Sequence, residues 1–504
     1  MSVTIYSLAK SGEEESTMPF MTKDHADNLP TVRIQKMILE NFKSVRHGEL
    51  VFNCGKEFVP YGTKSDIMGI YGQNGSGKTA IIEALAILRI LMSGGKLPSV
   101  YAECIARNAD YSRLTFTFDL QYPDGRIRKV EYSFCISAEQ VKQNETVKYE
   151  STDDDDDDDE PISNGMAIHV FNEILRVAGD IDGEKKTMKP FIDTSRADMP
   201  FSSKQKMEQI IGTDKKLPVQ LEVNKQLAYE RSRSFVFMKD TVKLISSTGL
   251  YSEYYQLILE LHYFSVFYFF VVNTKSSGLI RLNVGMPLYT RNGTLPLNAK
   301  GPTTIPTELF NEINEQFENI NSVLTQLVPE LSIGLKSLSP TLMKDGKEGR
   351  IVEMVASRDG VELPLRSESD GIRKIISILA LIIAVYNDQS CTVAIDEFDA
   401  GIFEYLLGEI LQTIEESGKG QFIFTSHNLR PLEVIDKKYL YFTTTNPDNR
   451  YIHLKSIGKT NNLRNVYFRE ILMHEQDEEI YNRTKRYKIV DALRKAGVGN
   501  GKEA

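Results

Sequence analysis

Residues 72–79 read Gly-Gln-Asn-Gly-Ser-Gly-Lys-Thr, between an apolar pentapeptide, Ile67 to Tyr71, and a long apolar run, Ala80 to Met92. No other stretch restricts the fold as tightly. The spacing G-x-x-x-x-G-K-[ST] calls for a strand that ends in a loop, with the positive end of a helix facing whatever the loop encloses. Gly72, Gly75 and Gly77 let the backbone curl, and with Asn74 and Ser76 they form a cradle of N–H groups for phosphates. In such a cradle Lys78 reaches the β and γ oxygens and the Thr79 hydroxyl can ligate Mg²⁺. The expected ligands are ATP, or another nucleoside triphosphate, and Mg²⁺.

A phosphate loop alone does not say which kind of nucleotide protein this is. Cys391 to Ile395 (CTVAI) form a short apolar strand that delivers Asp396 and Glu397, followed by Phe398 and Asp399. An aspartate there suits a Mg²⁺ shell, and the next glutamate suits orienting or deprotonating a water, because phosphoryl transfer needs positioning and charge stabilisation. Acidic pairs also end strands with no such duty. A second strand, Gln421 to Thr425 (QFIFT), runs into Ser426-His427-Asn428, where His427 can meet a γ-phosphate or be an ordinary loop-edge histidine. Between phosphate loop and acidic pair, Arg366 to Lys374 opens an apolar run from Ile375 to Tyr386. Ser369 and Gly371 at its start suit a helix N-terminus that binds an anion, or a plain N-cap on a core helix. Since residues 72–79 already serve the chain's own nucleotide, a second anion site fits a nucleotide held by a second subunit.

In this order the elements resemble the ATP-binding-cassette (ABC) heads of RecF, SMC and OLD type. Arg33 to Val45 (RIQKMILENFKSV) looks like that family's opening strand. The resemblance implies an α/β fold: an ABC-type P-loop ATPase head with a mixed sheet flanked by helices, an antiparallel β-subdomain and no long coiled coil. It implies Lys78 and Thr79 as Walker A, Asp396 and Glu397 as Walker B with Glu397 the catalytic base, and His427 as the switch histidine. Ser369 and Gly371 become signature contacts to the opposite subunit's γ-phosphate, and Asp399 the D-loop residue. The signature departs from the transporter form, reading Ser-Asp-Gly-Ile-Arg, which fits the RecF and OLD branch. Gln121 is a Q-loop candidate only by its place after a strand.

The expected organisation is a flexible arm over 1–30, an ATPase lobe with Walker A over 31–150, and an acidic loop over 151–165. A mainly helical insert over 166–340 follows, then a lobe with signature, Walker B and switch histidine over 341–460, and a basic helical tail over 461–504. Two hairpins are predicted. Arg113 to Tyr122 and Arg126 to Ser137 turn at Pro123-Asp124-Gly125; Arg350 to Ser357 and Val361 to Arg366 turn at Asp359-Gly360 and lead into Ser369. Gln205 to Phe270 reads as helix with crowded aromatics and no sustained heptads.

Composition narrows the class less than the motifs do. Lys and Arg total 60 against 69 Asp and Glu, a net charge of −9, so no global bias toward nucleic acid exists. Asp153 to Asp159 and Glu160 supply much of that deficit as a solvated run, while Arg483, Lys485, Arg486, Lys488, Arg494 and Lys495 cluster near the C-terminus. Cys54, Cys104, Cys135 and Cys391 show neither disulfide nor metal spacing, which points to a cytoplasmic protein. The apolar stretch Tyr263 to Val272 is too short to span a bilayer. After about Pro431 there is no compact carboxylate set of the kind a nuclease needs. The resemblance therefore favours an ATPase that assembles head to head as a homo-oligomer and controls a separately encoded effector, such as a nuclease or toxin, in anti-phage defence. A RecF-like DNA-repair ATPase and a nucleotide-binding scaffold with little turnover are the alternatives.

Overall fold

The computed structural model describes residues 29–52, 66–140, 165–179, 187–196, 216–247, 252–273, 280–281, 285–290, 293–343, 346–454, 462–473, 476–482 and 485–498. The expected N-terminal arm, apart from residues 29 and 30, and the whole aspartate run lie outside the described residues.

Alternating apolar positions build the first layer. β1 (Thr31–Phe42), β2 (Val45–Val51), β4 (Tyr111–Gln121), β5 (Ile127–Gln140), β6 (Met166–Gly179) and β7 (Lys189–Asp193) form an antiparallel sheet in the order β2-β1-β4-β5-β6-β7. In β4 the buried residues Ser112, Leu114, Phe116, Phe118 and Leu120 fall on every second position, so one face is core and the other is not. The turn at Pro123 to Gly125 joins β4 to β5 as predicted, with Gly125 in the left-handed region at φ 87°.

The second layer is mainly parallel. Its order is β19-β18-β3-β17-β16-β8-β9, from β3 (Asp66–Tyr71), β8 (Phe269–Asn273), β9 (Ile280–Arg281), β16 (Thr392–Ile395), β17 (Gln421–Thr425), β18 (Leu440–Thr443) and β19 (Tyr451–Ile452). All neighbours except the β18–β19 pair run parallel. Helix α1 (Lys78–Met92) follows β3 and lies in the same core as both the antiparallel sheet and β8; 13 of its 15 residues are buried. That explains its nearly uninterrupted apolar sequence, since a helix covered on all sides needs no polar stripe.

Residues 166–340, expected as a mainly helical insert, divide differently. They do contribute α2 (Leu217–Glu230), α3 (Lys239–Ser247), α4 (Ser252–Phe267) and α5 (Phe310–Leu327). They also supply β6 and β7 to the antiparallel sheet, β8 and β9 to the parallel one, a hairpin of β10 (Gly285–Thr290) and β11 (Gly293–Asn298), and β12 (Thr303–Pro306) and β13 (Ser332–Leu342). The segment is built into both sheets rather than inserted between them. Its described aromatics pack on one another: Phe264 stacks on Phe269 at 5.4 Å, and Tyr263 lies against Phe267 at 4.4 Å with the rings tilted by 38°.

The second predicted hairpin is present as β14 (Glu348–Arg358) and β15 (Val361–Pro364), and pairs with β12 and β13. A short 3₁₀ turn carries the chain from β15 to Ser369, the N-cap of α6 (Asp370–Asn387). With α7 (Glu404–Ser417), α6 fills the other core of the molecule. The chain ends in α8 (Pro431–Val434), α9 (Leu463–Met473) and α10 (Arg486–Val498). No described helix exceeds 18 residues, so no coiled-coil arm is present among the described residues. None of them is long and apolar enough to cross a membrane.

A buried polar joint fastens the layers where β1 meets β3 and β17. The fully buried Arg33 guanidinium lies 3.6 Å from the Asp66 carboxylate and donates to the Lys419 carbonyl at 2.8 Å. Gln421 donates to the Ile34 carbonyl and to Asp66, both at 2.9 Å.

Candidate nucleotide site

β3 ends at Tyr71 and the chain turns at once through Gly72, Gly75 and Gly77, whose φ values are 153°, 77° and 100°. The first of these is the tightest. A Cβ on Gly72 would lie 1.6 Å from the Thr443 hydroxyl, so only glycine lets β18 close against the loop. Around Gly75 a Cβ would meet nothing within 4 Å, leaving the loop's crest open to a ligand. The Ser76 hydroxyl is turned away from that opening, 2.5 Å from both the Gln73 carbonyl and the Thr443 hydroxyl. Lys78, 5 % exposed, folds back over the loop and donates to the carbonyls of Gly72 at 2.8 Å and Gln73 at 3.0 Å. Burial pushes its ammonium below the usual lysine range, opposed by the charges of Asp396, Glu397 and Asp399.

Those carboxylates arrive at the C-terminal end of β16, one strand removed from β3, with β17 interposed. The interposed strand ends in Thr425, whose hydroxyl donates to Asp396 at 2.6 Å and accepts from the Glu397 N–H at 2.7 Å. Asp396 is 1 % exposed. Glu397 is held at φ 46°, a left-handed conformation rare for a side chain with a Cβ. Asp399 accepts from the backbone N–H groups of His427, at 3.1 and 3.2 Å, and of Asn428 at 2.9 Å. The imidazole of His427 is left exposed at the rim. Asn74, Gly75, Gly77, Lys78, Thr79, Asp396, Glu397, Asp399 and His427 line one cleft of about 730 Å³.

A comparison with curated protein sequences found no match. Among solved structures, the chain is similar to an SMC head bound to the C-terminal winged-helix domain of ScpA (14 % identity, TM-score 0.38, covering 84 % of this chain and 97 % of that one). It is similar to the SMC head domain from Thermotoga maritima (13 %, 0.33, 84 % and 100 %) and to the recombination mediator RecF with ATP (12 %, 0.31, 79 % and 93 %). A protein-family model described as an AAA domain matches residues 36–232, which run from β1 through the phosphate loop to the end of α2. Over residues 36–232, then, the chain is similar to an AAA domain, and that stretch contains the strand, phosphate loop and helix described above.

The expected site residues fall into two places in the fold. Gly72 and Ser76 shape the phosphate loop from behind without lining the cleft, while the remaining Walker A, Walker B, D-loop and switch residues come together in it. Ser369 and Gly371 do not join them. They line a separate groove with Leu327, Pro329, Phe403 and Tyr405. Ser369 caps α6 by accepting from the Ile372 N–H at 3.3 Å, and a Cβ on Gly371 would lie 2.4 Å from the Gly401 carbonyl, so α6 is seated directly on the loop that follows Asp399. Gln121 ends β4 in the antiparallel sheet and is not among the cleft residues.

Three contributors were not singled out from sequence. Lys43 and Ser44 line the cleft from the β1–β2 turn, where Asn41 and Lys43 adopt φ of 54° and 53°, and Lys43 pairs with the buried Glu83 of α1. The Asn-Phe-Lys-Ser sequence of that turn was the available signal. Thr425 carried none, since a threonine closing a strand is ordinary.

Proposed function

We propose that this chain binds ATP with Mg²⁺, hydrolyses it, and acts as an assembly of two or more heads. The observation that carries the reading is the convergence of Lys78 and Thr79 with Asp396, Glu397 and His427 in one cleft, while Ser369 and Gly371 sit in another. Lys78 would hold the β and γ phosphates. Thr79 and Asp396, which line the same cleft, would hold a Mg²⁺ together with phosphate oxygens, and that ion would supply neutralisation of developing charge. Glu397 is the general base, aimed by its fixed backbone, and the exposed imidazole of His427 meets the γ-phosphate at the rim. Ser369 and Gly371 present a helix N-terminus for another head's nucleotide, which makes assembly part of the catalytic cycle.

In this reading the head works in the cytoplasm on a separately encoded effector, in anti-phage defence, a role that rests on the sequence resemblance to RecF and OLD heads. A second reading, action on DNA, draws on α10, where Arg486, Lys488, Arg494 and Lys495 are all exposed. It predicts DNA binding that weakens steeply with salt and is lost when those four residues are replaced by glutamine.

Glu397→Gln is the deciding experiment. ATP affinity measured by calorimetry stays within a few-fold of wild type, while phosphate release falls by about two orders of magnitude. Undiminished release would remove Glu397 as the base and favour a nucleotide-binding scaffold.

A further inference from the structure

The signature helix carries a second basic group that the reading above leaves unused. Lys374, on the second turn of α6, is 4 % exposed, and its ammonium donates to the backbone carbonyl of Glu397 at 2.5 Å. We propose that Lys374 is a positioning residue, through which the seating of the signature helix sets the orientation of the Glu397 carboxylate in the same subunit.

Three observations support this. Glu397 sits at φ 46°, so its conformation has to be imposed by neighbours: its N–H donates to the Thr425 hydroxyl, and its carbonyl accepts from the Ala400 N–H of its own turn at 3.0 Å and from Lys374, the one side chain from another element described on that carbonyl. The start of α6 is in van der Waals contact with the D-loop through Gly371 and Gly401, so the helix cannot shift without moving Lys374. The ammonium faces Asp396, Glu397 and Asp399, the same three carboxylates that Lys78 faces from the opposite helix; burial pushes it down to about 8 while those acids oppose the shift. A buried charge is costly to hold. An apolar side chain would fill the same place with less penalty, which argues that the ammonium is kept for what it holds. Lys78 can exchange its loop carbonyls for phosphates when nucleotide arrives. Lys374 instead grips the peptide that carries the base.

The inference rests on the ATPase reading, and the test separates the two. Wild type, Lys374→Met, Glu397→Gln and the double variant are compared by single-turnover hydrolysis, ATP calorimetry, melting, and hydrogen exchange of the peptide covering Glu397 to Gly401. For Lys374→Met the expected result is hydrolysis reduced about tenfold or more, ATP affinity within twofold, a melting temperature no lower than wild type, and faster exchange in that peptide. The double variant hydrolyses no more slowly than Glu397→Gln alone, because a group acting only through Glu397 has nothing left to position. Hydrolysis within twofold of wild type, an equal extra loss in the double variant, or affinity and melting temperature falling along with turnover would each overturn the proposal. A wild-type protein that binds ATP without hydrolysing it would remove the ATPase reading instead. Exchange in the Glu397 to Gly401 peptide would then decide the positioning claim alone, and an unchanged rate in Lys374→Met would overturn it.

Discussion

Thr425 shows how much of the cleft depends on one hydroxyl. It gives its proton to Asp396 and takes one from the Glu397 N–H, so a single side chain from the interposed strand fixes both acids of the pair. Thr425→Val keeps the shape and leaves a buried carboxylate and a backbone N–H each short of a partner. That should cost about 1–3 kcal/mol of stability, the usual penalty for stranding buried polar groups. Turnover should fall about tenfold or more while ATP still binds. Thermal melting and phosphate release measured on the same preparation check both halves; a variant that loses stability but hydrolyses normally would show that the hydroxyl serves only the fold.

At the scale of elements, the joint between β1, β3 and β17 has a pH signature. Burial raises the Asp66 carboxyl to about 6, with the Arg33 charge and the Gln421 hydrogen bond pulling the other way. Its ordinary value is 3.8, so between about 4 and 6 the folded chain holds a proton that the unfolded chain has lost. The stabilisation tied to that proton is complete below about 4 and disappears as pH rises through 6. Asp66→Asn should therefore melt with a flatter pH dependence between 4 and 7 than wild type, whatever its absolute stability; equal slopes would rule Asp66 out as the source. Legibility from sequence divides along similar physical lines. The β4–β5 hairpin was readable because one of its faces is core, which imposes alternation, and because Pro123 to Gly125 spells its turn. β8 was not. Phe269 to Asn273 is buried at every position and begins one residue after α4, so its apolar run continues the helix's own pattern with no change of period. The cleft was legible where its residues cluster within 72–79 and 396–399, and at His427 just past β17. It was illegible at Lys43, Lys374 and Thr425, which only the folded chain brings to the same place.

For the whole molecule, the separation of Ser369 and Gly371 from the phosphate loop predicts complementation. Lys78→Ala should abolish ATP binding, and Ser369→Arg should spare binding but block hydrolysis. In a mixed dimer one composite site carries both lesions and the other carries neither, so mixing the two inactive proteins should restore activity. Absence of recovery, with mixed dimers confirmed by differential tagging, would reduce Ser369 to the N-cap it makes in this chain.

The strand order also dictates when such a cleft can come into being. β3 pairs with β17 on one side and β18 on the other, and both lie some 350 residues further along. At about 5–20 residues per second of synthesis, β3 waits roughly twenty seconds to a minute for either neighbour. Until then the strand has exposed edges on both sides, and the loop it carries has no wall for Thr443 to supply. The stretch 36–232 that matches the AAA domain is thus no autonomous unit, since the strand that carries its phosphate loop has no pairing partner within it. Ribosome-bound chains halted at residue 232 should be cut by protease next to β3 and should fail to retain nucleotide. Resistance should appear only after β18 has left the exit tunnel, so competence to bind arises late and all at once.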